Sequence, residues 1–514
     1  MYNLFRRCQL HGNTGLTIEP GAKGPLYRQI VQQLTALITQ GVYPPGYRLP
    51  TTRELAQELD VHRNTVVRAF EEMASSGLVH TIVGSGTYVA KSEDVVEPTA
   101  APQRGSMPWN ALVSDAANSE PLTRYDRLAR NIYGSDLINL SRMHPSNDLI
   151  PHELIRKCND FVLRRFGPDS LGYAPPDGLP RLREHIAREL WRAKVPANAE
   201  EIVITTGSQQ GLDLIARLLF NPGDTVLMEE HSYPGAITAF AATGARMTAV
   251  DCDDEGPIMS TLEQLISTGA KALYLMPNCS NPTGSCISVS RRRQLVEWSH
   301  RSGIPLIEDD YGADLGDSAA PVSLRALDSN VLYLGTFSKK LVPALRIGYL
   351  LCPEGLISRL VALKQAMDLG TSLLHQHVLA EFIDRGYLRT HLRRIQPVYA
   401  GRRTALAEAL REHLPESIKI QVPNLGVVFW INLPEPLDPD EVFHEAMKQG
   451  VLVSPSSFHS VNRHASAGIR MTFCAEPRER LVEGARRLGK ALKVLSGRRT
   501  TKVFSMGSTS LDGV

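Results

Sequence analysis

The chain has 514 residues, of which 43% are hydrophobic and 21% are charged, and its formal net charge is +2. This composition is ordinary for a globular protein, and the length predicts more than one domain. The small net charge excludes a strong electrostatic field acting over the whole chain.

Seven cysteines are scattered along the chain without any CxxC pair. An odd and dispersed set argues against a disulfide framework or a zinc site and predicts reduced thiols. The N-terminal sequence MYNLFRRCQLHGNTG lacks an apolar run, so no signal peptide is predicted. No stretch approaches the roughly 18 apolar residues of a membrane span. We therefore expect a cytoplasmic protein with no metal site and no membrane contact.

Composition and periodicity divide the chain into four segments. Residues 23–90 are compact and strongly patterned, whereas residues 91–124 are rich in Pro, Ala, Ser and charge, which is typical of a linker. Over residues 125–496, short β-branched runs alternate with helical patterns, and this alternation predicts an α/β domain with a mostly parallel sheet. Residues 497–514 have the composition of a flexible tail.

The N-terminal patterned segment predicts three helices and a hairpin. Apolar residues at helical spacing from Leu26 to Ile38 mark the first helix. Thr51 and Glu54 fit a capping box at the start of the second, and the third runs from about 63 to 76. Two β-rich runs then flank a Gly-Ser-Gly turn. Two helices joined by a tight turn and followed by a hairpin are a winged helix-turn-helix.

In such a module the second helix of the pair lies in the major groove of DNA, with its first turn facing the bases. Arg can read guanine and Asn can read adenine, while Thr and further Arg residues hold phosphates. The segment has only six basic and five acidic residues, so a small helical domain of another purpose remains an alternative. The predicted DNA-binding residues are Arg48, Thr51, Arg53, His62, Arg63, Asn64, Thr65, Arg68 and Ser85.

Four stretches of this segment carry a family resemblance: PLYRQI, PGYRLPTTRELA, RNTVVRAFEEM and GSGTYV. Together they resemble the GntR-type winged helix over its whole length. The resemblance implies that double-stranded operator DNA is a partner. His62 departs from the small hydroxyl residue that is usual at that position of the family.

Polar residues follow strand-like apolar runs in the larger segment. Lys339 follows VLYLGTF, and a buried lysine is rare unless it is paired or reactive. Asp309 ends the run PLIED, and Ser208 lies between a strand and a helix, where backbone N–H groups face an anion. Each residue taken alone is also explained by a turn, by packing or by a solvated charge. Ligands of open α/β sheets bind outside the carboxyl ends of the strands, so we expect these residues to converge there.

This set of side chains suits pyridoxal 5′-phosphate. A lysine amine forms a Schiff base with an aldehyde, and a carboxylate keeps a pyridinium nitrogen protonated. A helix start, a Ser and an Arg can hold a phosphate, while an aromatic ring can stack on the cofactor. The predicted cofactor-binding residues are Ser208, Gln209, Tyr233, Asn281, Asp309, Tyr311, Ser338, Lys339 and Arg346.

Residues 125–496 resemble the fold type I, aspartate aminotransferase-like enzymes, through motifs such as ITTGSQQG, SNPTG, EDDY and GTFSKK. The resemblance implies a pyridoxal-phosphate-dependent transferase domain with a large, mostly parallel sheet and a small α/β domain. It implies that Lys339 is the catalytic, Schiff-base lysine and that Asp309 pairs with the pyridinium. It also implies that Arg470, in AGIRMTF, binds the carboxylate of a substrate or effector as a bidentate fork.

A GntR-type winged helix joined to such a domain resembles the MocR (GabR-like) regulators. This implies a transcription regulator that forms head-to-tail homodimers and senses pyridoxal phosphate or an amino compound, with little or no turnover. Gly235 stands where the GABA-sensing members carry an Arg, which argues against GABA as the effector. Met143 stands where a Gly is usual, which argues against a standard amino-acid pocket or for one of another size. The motif SNPTG, with Asn281, looks more like a working enzyme, so an aminotransferase acting on an amino acid and a 2-oxo acid is the alternative.

Overall fold

The computed structural model describes residues 16, 18, 25–39, 42–82, 85–90, 112–122, 137–316, 319–462 and 465–506, with side chains described up to residue 496. The chain divides into two compact units, Met1–Leu112 and Val113–Val514, so the boundary falls within the predicted linker. The remaining linker positions, 91–111 and 123–124, lie outside the described residues.

The smaller unit has the three helices and the hairpin that the sequence predicts. Its helices are α1 (Leu26–Thr39), α2 (Thr52–Glu58) and α3 (Arg63–Ser75), and its strands are β1 (Val79–Ile82) and β2 (Gly86–Val89). The two strands pair antiparallel, with Val79 opposite Val89 and Ile82 opposite Gly86. The predicted winged helix-turn-helix is therefore confirmed.

Local sequence explains these boundaries. The Thr51 side chain accepts a hydrogen bond from the backbone of Glu54, and the Glu54 carboxylate accepts one from the backbone of Thr51, which completes the predicted capping box. Ile30, Leu34 and Val66 are fully buried between the helices. Burial of such residues supplies most of the stability of a small helical unit.

The larger unit is built on a seven-stranded sheet with the strand order β4-β12-β11-β10-β9-β5-β6. Strand β12 runs antiparallel to both of its neighbours, and the other pairs are parallel. The prediction of a mostly parallel sheet is therefore confirmed. The strands are β4 (Ile202–Thr205), β5 (Thr225–Glu229), β6 (Arg246–Val250), β9 (Ala272–Leu275), β10 (Leu306–Asp310), β11 (Leu332–Thr336) and β12 (Gly348–Leu351).

Helices connect and cover this sheet, which explains why strands such as ALYL and LYLGT are apolar on both faces. Their order along the chain follows the predicted alternation. They are α4 (His152–Phe166), α5 (Pro180–Arg192), α6 (Ser208–Leu219), α7 (Pro234–Ala242), α8 (Met259–Leu265), α9 (Val289–Ser302), α10 (Leu324–Leu327), α11 (Glu354–Asp368), α12 (Leu373–Asp384) and α13 (Tyr387–His413).

A smaller antiparallel sheet follows, with the order β13-β14-β17-β16. Its strands are β13 (Ile420–Gln421), β14 (Val428–Asn432), β16 (Ser454–Pro455) and β17 (Gly468–Thr472), and two short parallel strands, β3 (Ile138–Asn139) and β15 (Val451–Leu452), pair beside it. The hairpin strands β7 (Cys252–Asp253) and β8 (Gly256–Pro257), with helices α14 (Pro439–Lys448) and α15 (Arg478–Met506), complete the elements. This sheet and its helices correspond to the small α/β domain that was expected.

The C-terminal prediction needs a correction. Helix α15 continues to Met506, so residues 497–506 are helical and are not the flexible tail that composition suggested. Leu481, Ala485 and Leu488 are buried at helical spacing earlier in the same helix, and the helix extends from that packed part. Residues 507–514 lie outside the described residues. Within the described part of the chain, no helix has the length and apolar character needed to cross a membrane.

Candidate functional site

The predicted cofactor residues converge at one edge of the large sheet. Strands β9, β10 and β11 are parallel neighbours, so their carboxyl ends lie side by side. Asp309 lies at the end of β10, and Lys339 follows the end of β11 by three residues. Asn281 belongs to the loop that follows β9. The sheet therefore brings together residues that are far apart in sequence, as the strand-end argument predicts.

The amine of Lys339 lies in a desolvated place. Burial lowers the pKa of Lys339 to about 8, and the nearby cations of Arg470 and Arg346 also lower it, while Cys474 and Asp309 act in the opposite direction. A lower pKa leaves more of the amine neutral near physiological pH, and the neutral amine is the form that attacks an aldehyde. Lys340, the next residue, instead pairs with Asp314 at 2.7 Å.

Asp309 is buried, and the Tyr274 hydroxyl donates a hydrogen bond of 2.7 Å to its Oδ2 atom. Burial raises the pKa of Asp309 to about 7, although the Tyr274 hydrogen bond and the Lys339 charge oppose the rise. A carboxyl group in this state gains from an added cationic N–H group, such as that of a pyridinium ring. Tyr274 was not predicted, yet a tyrosine in the buried strand ALYL must find a partner for its hydroxyl.

Two glycines allow close backbone approach at the turn between β4 and α6. Gly207 has a φ of +78°, and a Cβ atom placed on it would lie 2.7 Å from Nη2 of Arg346. A Cβ atom on Gly348 would lie 2.8 Å from the backbone nitrogen of Ser208. Arg346 donates from Nη2 to the carbonyl of Thr206 at 3.1 Å. A helix N-terminus and a guanidinium beside it suit a phosphate group, so these residues fit the predicted cofactor.

Two other residues predicted at the phosphate have different surroundings. Ser338 is buried, and its backbone N–H donates to Oγ1 of Thr336 at 3.2 Å. The Gln209 side chain donates to the carbonyl of Gly235 at 2.7 Å and accepts from the Tyr233 hydroxyl at 3.4 Å. The amide of Gln209 thus connects α6 to the start of α7, and only its backbone lies in the first turn of α6. A role of Gln209 at the phosphate stays a prediction.

Tyr311 and Asn281 were both predicted near a ring oxygen of the cofactor. In the structure the Tyr311 hydroxyl lies 3.0 Å from the Sγ atom of Cys279, a residue that sequence reasoning did not select. Burial raises the pKa of both groups, so each is protonated near neutral pH. Oδ1 of Asn281 accepts from Nη1 of Arg470 at 3.0 Å. The role of both residues at the ring stays a prediction.

Arg470 lies on β17, and its guanidinium contacts several neutral groups. Nη2 donates to the carbonyl of Ser141 at 2.6 Å, and Nη1 contacts both Asn281 at 3.0 Å and the sulfur of Met143 at 3.2 Å. Met143, the unexpected residue of SRMHPS, therefore supports the guanidinium. The contact joins two residues that are far apart in sequence, so no sequence pattern predicts it.

A thiol also belongs to this group. Cys474 follows β17, is buried, and interacts electrostatically with Lys339. Burial raises the pKa of the Cys474 thiol to about 11, so it remains protonated near neutral pH. No sequence signal marks Cys474, because a lone cysteine after the run RMTF is usually core packing.

In the smaller unit, the first turn of α3 presents the predicted reading residues to solvent. His62, Arg63 and Asn64 are exposed, and His62 caps the helix by accepting from the backbone of Asn64 at 3.2 Å. Nε of Arg63 donates to Oγ1 of Thr52 at 3.3 Å, which joins α3 to the start of α2. His62 therefore fulfils the capping role of the small hydroxyl residue that the family resemblance led us to expect.

The remaining predicted DNA contacts surround this helix. Arg68 lies over the ring of Tyr27 at 4.3 Å, and the Ser85 hydroxyl lies 2.8 Å from that of Tyr88 in the hairpin. A Cβ atom on Gly86 would lie 2.8 Å from Nε of Arg48, so Arg48 packs closely on the hairpin. Arg53 and Thr51 are exposed on α2 and at its cap, and Thr65 is half-buried on α3. Contact of these residues with DNA stays a prediction.

The larger unit thus has the fold and the strand-end site of a fold type I transferase, and the smaller unit is a winged helix. The family model for aminotransferase class I and II matches residues 135–488, and that for bacterial regulatory proteins of the gntR family matches residues 26–89. The chain belongs to the aminotransferase class I and II family, in the form that carries an N-terminal gntR-family helix-turn-helix domain.

Similar proteins include both regulators and enzymes. The chain is 30% identical to the uncharacterized HTH-type transcriptional regulator YdfD of Bacillus subtilis, over 93% of this chain and 98% of that protein. It is 30% identical to the probable rhizopine catabolism regulatory protein MocR of Rhizobium meliloti, over 87% and 90%. The structure of Pyrococcus horikoshii kynurenine aminotransferase in complex with PMP superposes with a TM-score of 0.71 at 32% identity, covering 75% of this chain and 98% of that one.

The first prediction concerns the amine of Lys339. We expect the rate at which the cofactor-free protein takes up pyridoxal phosphate to rise with pH and to reach half of its maximum at about 8, because the neutral fraction of Lys339 follows its pKa. Stopped-flow measurement of the visible absorbance of the lysine-linked cofactor gives this profile.

Two variants serve as controls for that profile. Lys339→Ala should abolish the visible absorbance, whereas Lys340→Arg, which keeps a cation beside Asp314, should retain it. A midpoint near the ordinary lysine value, or absorbance that persists in Lys339→Ala with an unchanged circular dichroism spectrum, would contradict the assignment.

The second prediction concerns the hydroxyl on Asp309. Tyr274→Phe should weaken pyridoxal phosphate binding by roughly tenfold, because a hydrogen bond to a charged carboxylate is lost in a buried place. The dissociation constant from equilibrium dialysis measures the effect. Tyr333→Phe is the matched control, since Tyr333 donates at 2.8 Å to the neighbouring Asp310. Equal losses in the two variants would mean a general effect on the sheet.

Proposed function

We propose that this protein is a transcription regulator that binds pyridoxal phosphate in its larger unit, binds operator DNA through its winged helix, and responds to an amino compound. The observation that supports the proposal is that one chain contains both a winged helix whose third helix has an exposed first turn and a buried lysine with a lowered pKa near Asp309. An aminotransferase works without a DNA-binding domain, and a simple repressor works without a cofactor site.

The residues of the larger unit have distinct parts in this proposal. Lys339 supplies the amine that holds the aldehyde carbon, and Asp309 with Tyr274 receives the ring nitrogen. Gly207, Ser208 and Arg346 receive the phosphate. When bound, pyridoxal phosphate supplies an aldehyde that condenses with amines and a ring that withdraws electrons. Tyr233 lies at the start of α7, where its ring can cover the cofactor.

The effector has its own contacts. Arg470 binds the effector carboxylate, which requires that this guanidinium give up part of its bonding to Ser141 and Asn281. The effector would then make different contacts in two arrangements of the small domain. A ligand shifts the equilibrium between two arrangements only when it binds one of them more tightly. The change in the larger unit then alters the affinity of the winged helices for DNA.

We also propose a head-to-tail homodimer, as in the MocR regulators that the sequence resembles. Two recognition helices would then contact two half-sites of an operator, and the spacing between the half-sites would mirror the dimer. An operator-binding protein of a bacterium acts where the chromosome lies, so we expect it in the cytoplasm.

A second candidate function is an aminotransferase. The observation in its favour is the presence of Asn281 and Arg470 together with Lys339 and Asp309, which the geometry gathers around one place. The same groups hold the cofactor in a sensor, so their presence alone does not establish turnover.

Visible-absorbance titration separates the two functions. Cofactor-loaded protein is titrated with a panel of amino acids, and a 2-oxo acid is then added. A regulator should show a spectral shift that persists and a changed affinity for operator fragments selected from random duplexes. Conversion to the amine form of the cofactor, followed by recovery on addition of the 2-oxo acid, would favour the enzyme.

The third prediction concerns reading of the operator. Arg63→Ala should weaken binding to the selected operator by about tenfold to a hundredfold more than binding to random DNA, because a bidentate base contact is lost. Fluorescence anisotropy at fixed salt measures both affinities. Arg53→Ala is the matched control, since loss of a phosphate contact should weaken both equally. Equal losses for Arg63→Ala would make Arg63 a phosphate contact too.

A further inference from the structure

A cavity of about 390 Å³ adjoins the predicted cofactor site. Tyr233 and Arg470 form part of its wall, so the cavity begins where the cofactor ring and the effector carboxylate are expected. Its volume falls within the range of small-molecule sites. The cavity is therefore placed to receive the part of an amino compound that extends away from the cofactor.

Much of the cavity wall is apolar. Ile237 on α7, Phe443 on α14 and Leu452 on β15 are nearly fully buried, and each lines the cavity. The ring of Phe458 meets that of Phe443 edge-on, with 5.8 Å between centroids. The other apolar residues of the wall are Pro121, Pro234, Met247, Val453 and Val461.

Few charged residues line the cavity. Apart from Arg470, the charged residues of its described wall are Glu120 and Arg142, and both are exposed to solvent. His459, also in the wall, is buried, and burial lowers its pKa well below the usual range, so it is uncharged. Its Nε2 atom pairs with the Ser454 hydroxyl at 2.8 Å. A charged side chain packed against Ile237, Phe443 and Leu452 would lose hydration on that apolar surface.

Gly235 excludes a second cation next to Tyr233. A Cβ atom at position 235 would lie 2.2 Å from Oε1 of Gln209 and 2.4 Å from Cε1 of Tyr233. No basic side chain can therefore occupy this position while Gln209 and Tyr233 keep their places. A distal carboxylate near the cofactor ring thus finds no partner at position 235.

We propose that the cavity binds the side chain of an α-amino acid with a long aliphatic or aromatic side chain, while Arg470 binds its carboxylate and its amine faces Lys339. This inference rests on the proposed function, because it names the effector class of the same site. The selectivity comes from the apolar wall of Ile237, Phe443 and Leu452, since burial of apolar side-chain surface is favourable and burial of a charge is not.

Calorimetric titration of the cofactor-loaded full chain tests the proposal. Alanine, leucine, phenylalanine, aspartate and lysine are each titrated, and the affinity for operator DNA is measured with each. Leucine and phenylalanine should bind about tenfold or more tightly than alanine, because every buried methylene group adds to the affinity. Aspartate and lysine should bind more weakly than leucine.

A cavity-filling variant makes the test specific to this wall. Thr238 lines the cavity and is half-buried on α7, and its hydroxyl donates to the carbonyl of Gly235 at 3.1 Å. Thr238→Trp should lower the affinity for leucine and phenylalanine by about tenfold while changing that for alanine by less than about twofold. Thr243→Trp, at the end of the same helix, is the matched control, since Thr243 makes the equivalent bond to Phe240 at 2.8 Å.

The outcomes separate this inference from the proposed function. Three results would overturn the effector class and leave the proposed function intact. Aspartate or lysine could bind most tightly, all amino acids could bind equally, or none could bind although the protein still holds pyridoxal phosphate and operator DNA. Equal losses for Thr238→Trp and Thr243→Trp would remove the cavity from the recognition. Failure to hold the cofactor or any DNA would instead contradict the proposed function.

Discussion

The site depends on the burial of a carboxylate and an amine at neighbouring strand ends. Burial raises the pKa of Asp309 to about 7 and lowers that of Lys339 to about 8, so both groups titrate close to neutrality. Within the described residues neither group forms a short ion pair, so each can interact with a different atom of a ligand. The carboxyl group is prepared for a cationic nitrogen, and the amine is prepared for an electrophilic carbon. The parallel register of β10 and β11 places them together.

The same edge of the sheet demands close backbone approach. Gly207 and Gly348 come so near to Arg346 and to the start of α6 that side chains there would collide with their neighbours. Arg346 itself adopts a left-handed conformation with a φ of +49°, which aims its guanidinium back at the turn. Because Gly207 and Gly348 have no side chains, the N-terminus of α6 and the Arg346 guanidinium can lie close together.

Much of this arrangement could be predicted from sequence, because the strand ends and the glycine turn have local signatures. The apolar runs before Asp309 and Lys339, and the capping box at Thr51, each specify an element and its end. What could not be predicted depends on contacts between distant segments. The bond from Tyr274 to Asp309, the pairing of Cys279 with Tyr311 and the place of Cys474 have no sequence spacing to mark them. The C-terminal helix was missed because its last residues have the polar composition of a tail, although they continue a helix that is packed earlier.

Gly235 limits how this site can change during evolution. Its neighbours Gln209 and Tyr233, which are hydrogen-bonded to each other, leave no space for a side chain. A side chain introduced at position 235 would therefore displace Gln209 or Tyr233. Met247 and Val461 also line the cavity, and both are half-buried rather than enclosed. A change in the molecules that the cavity accepts is therefore easier to reach by substitution at Met247 or Val461 than at Gly235.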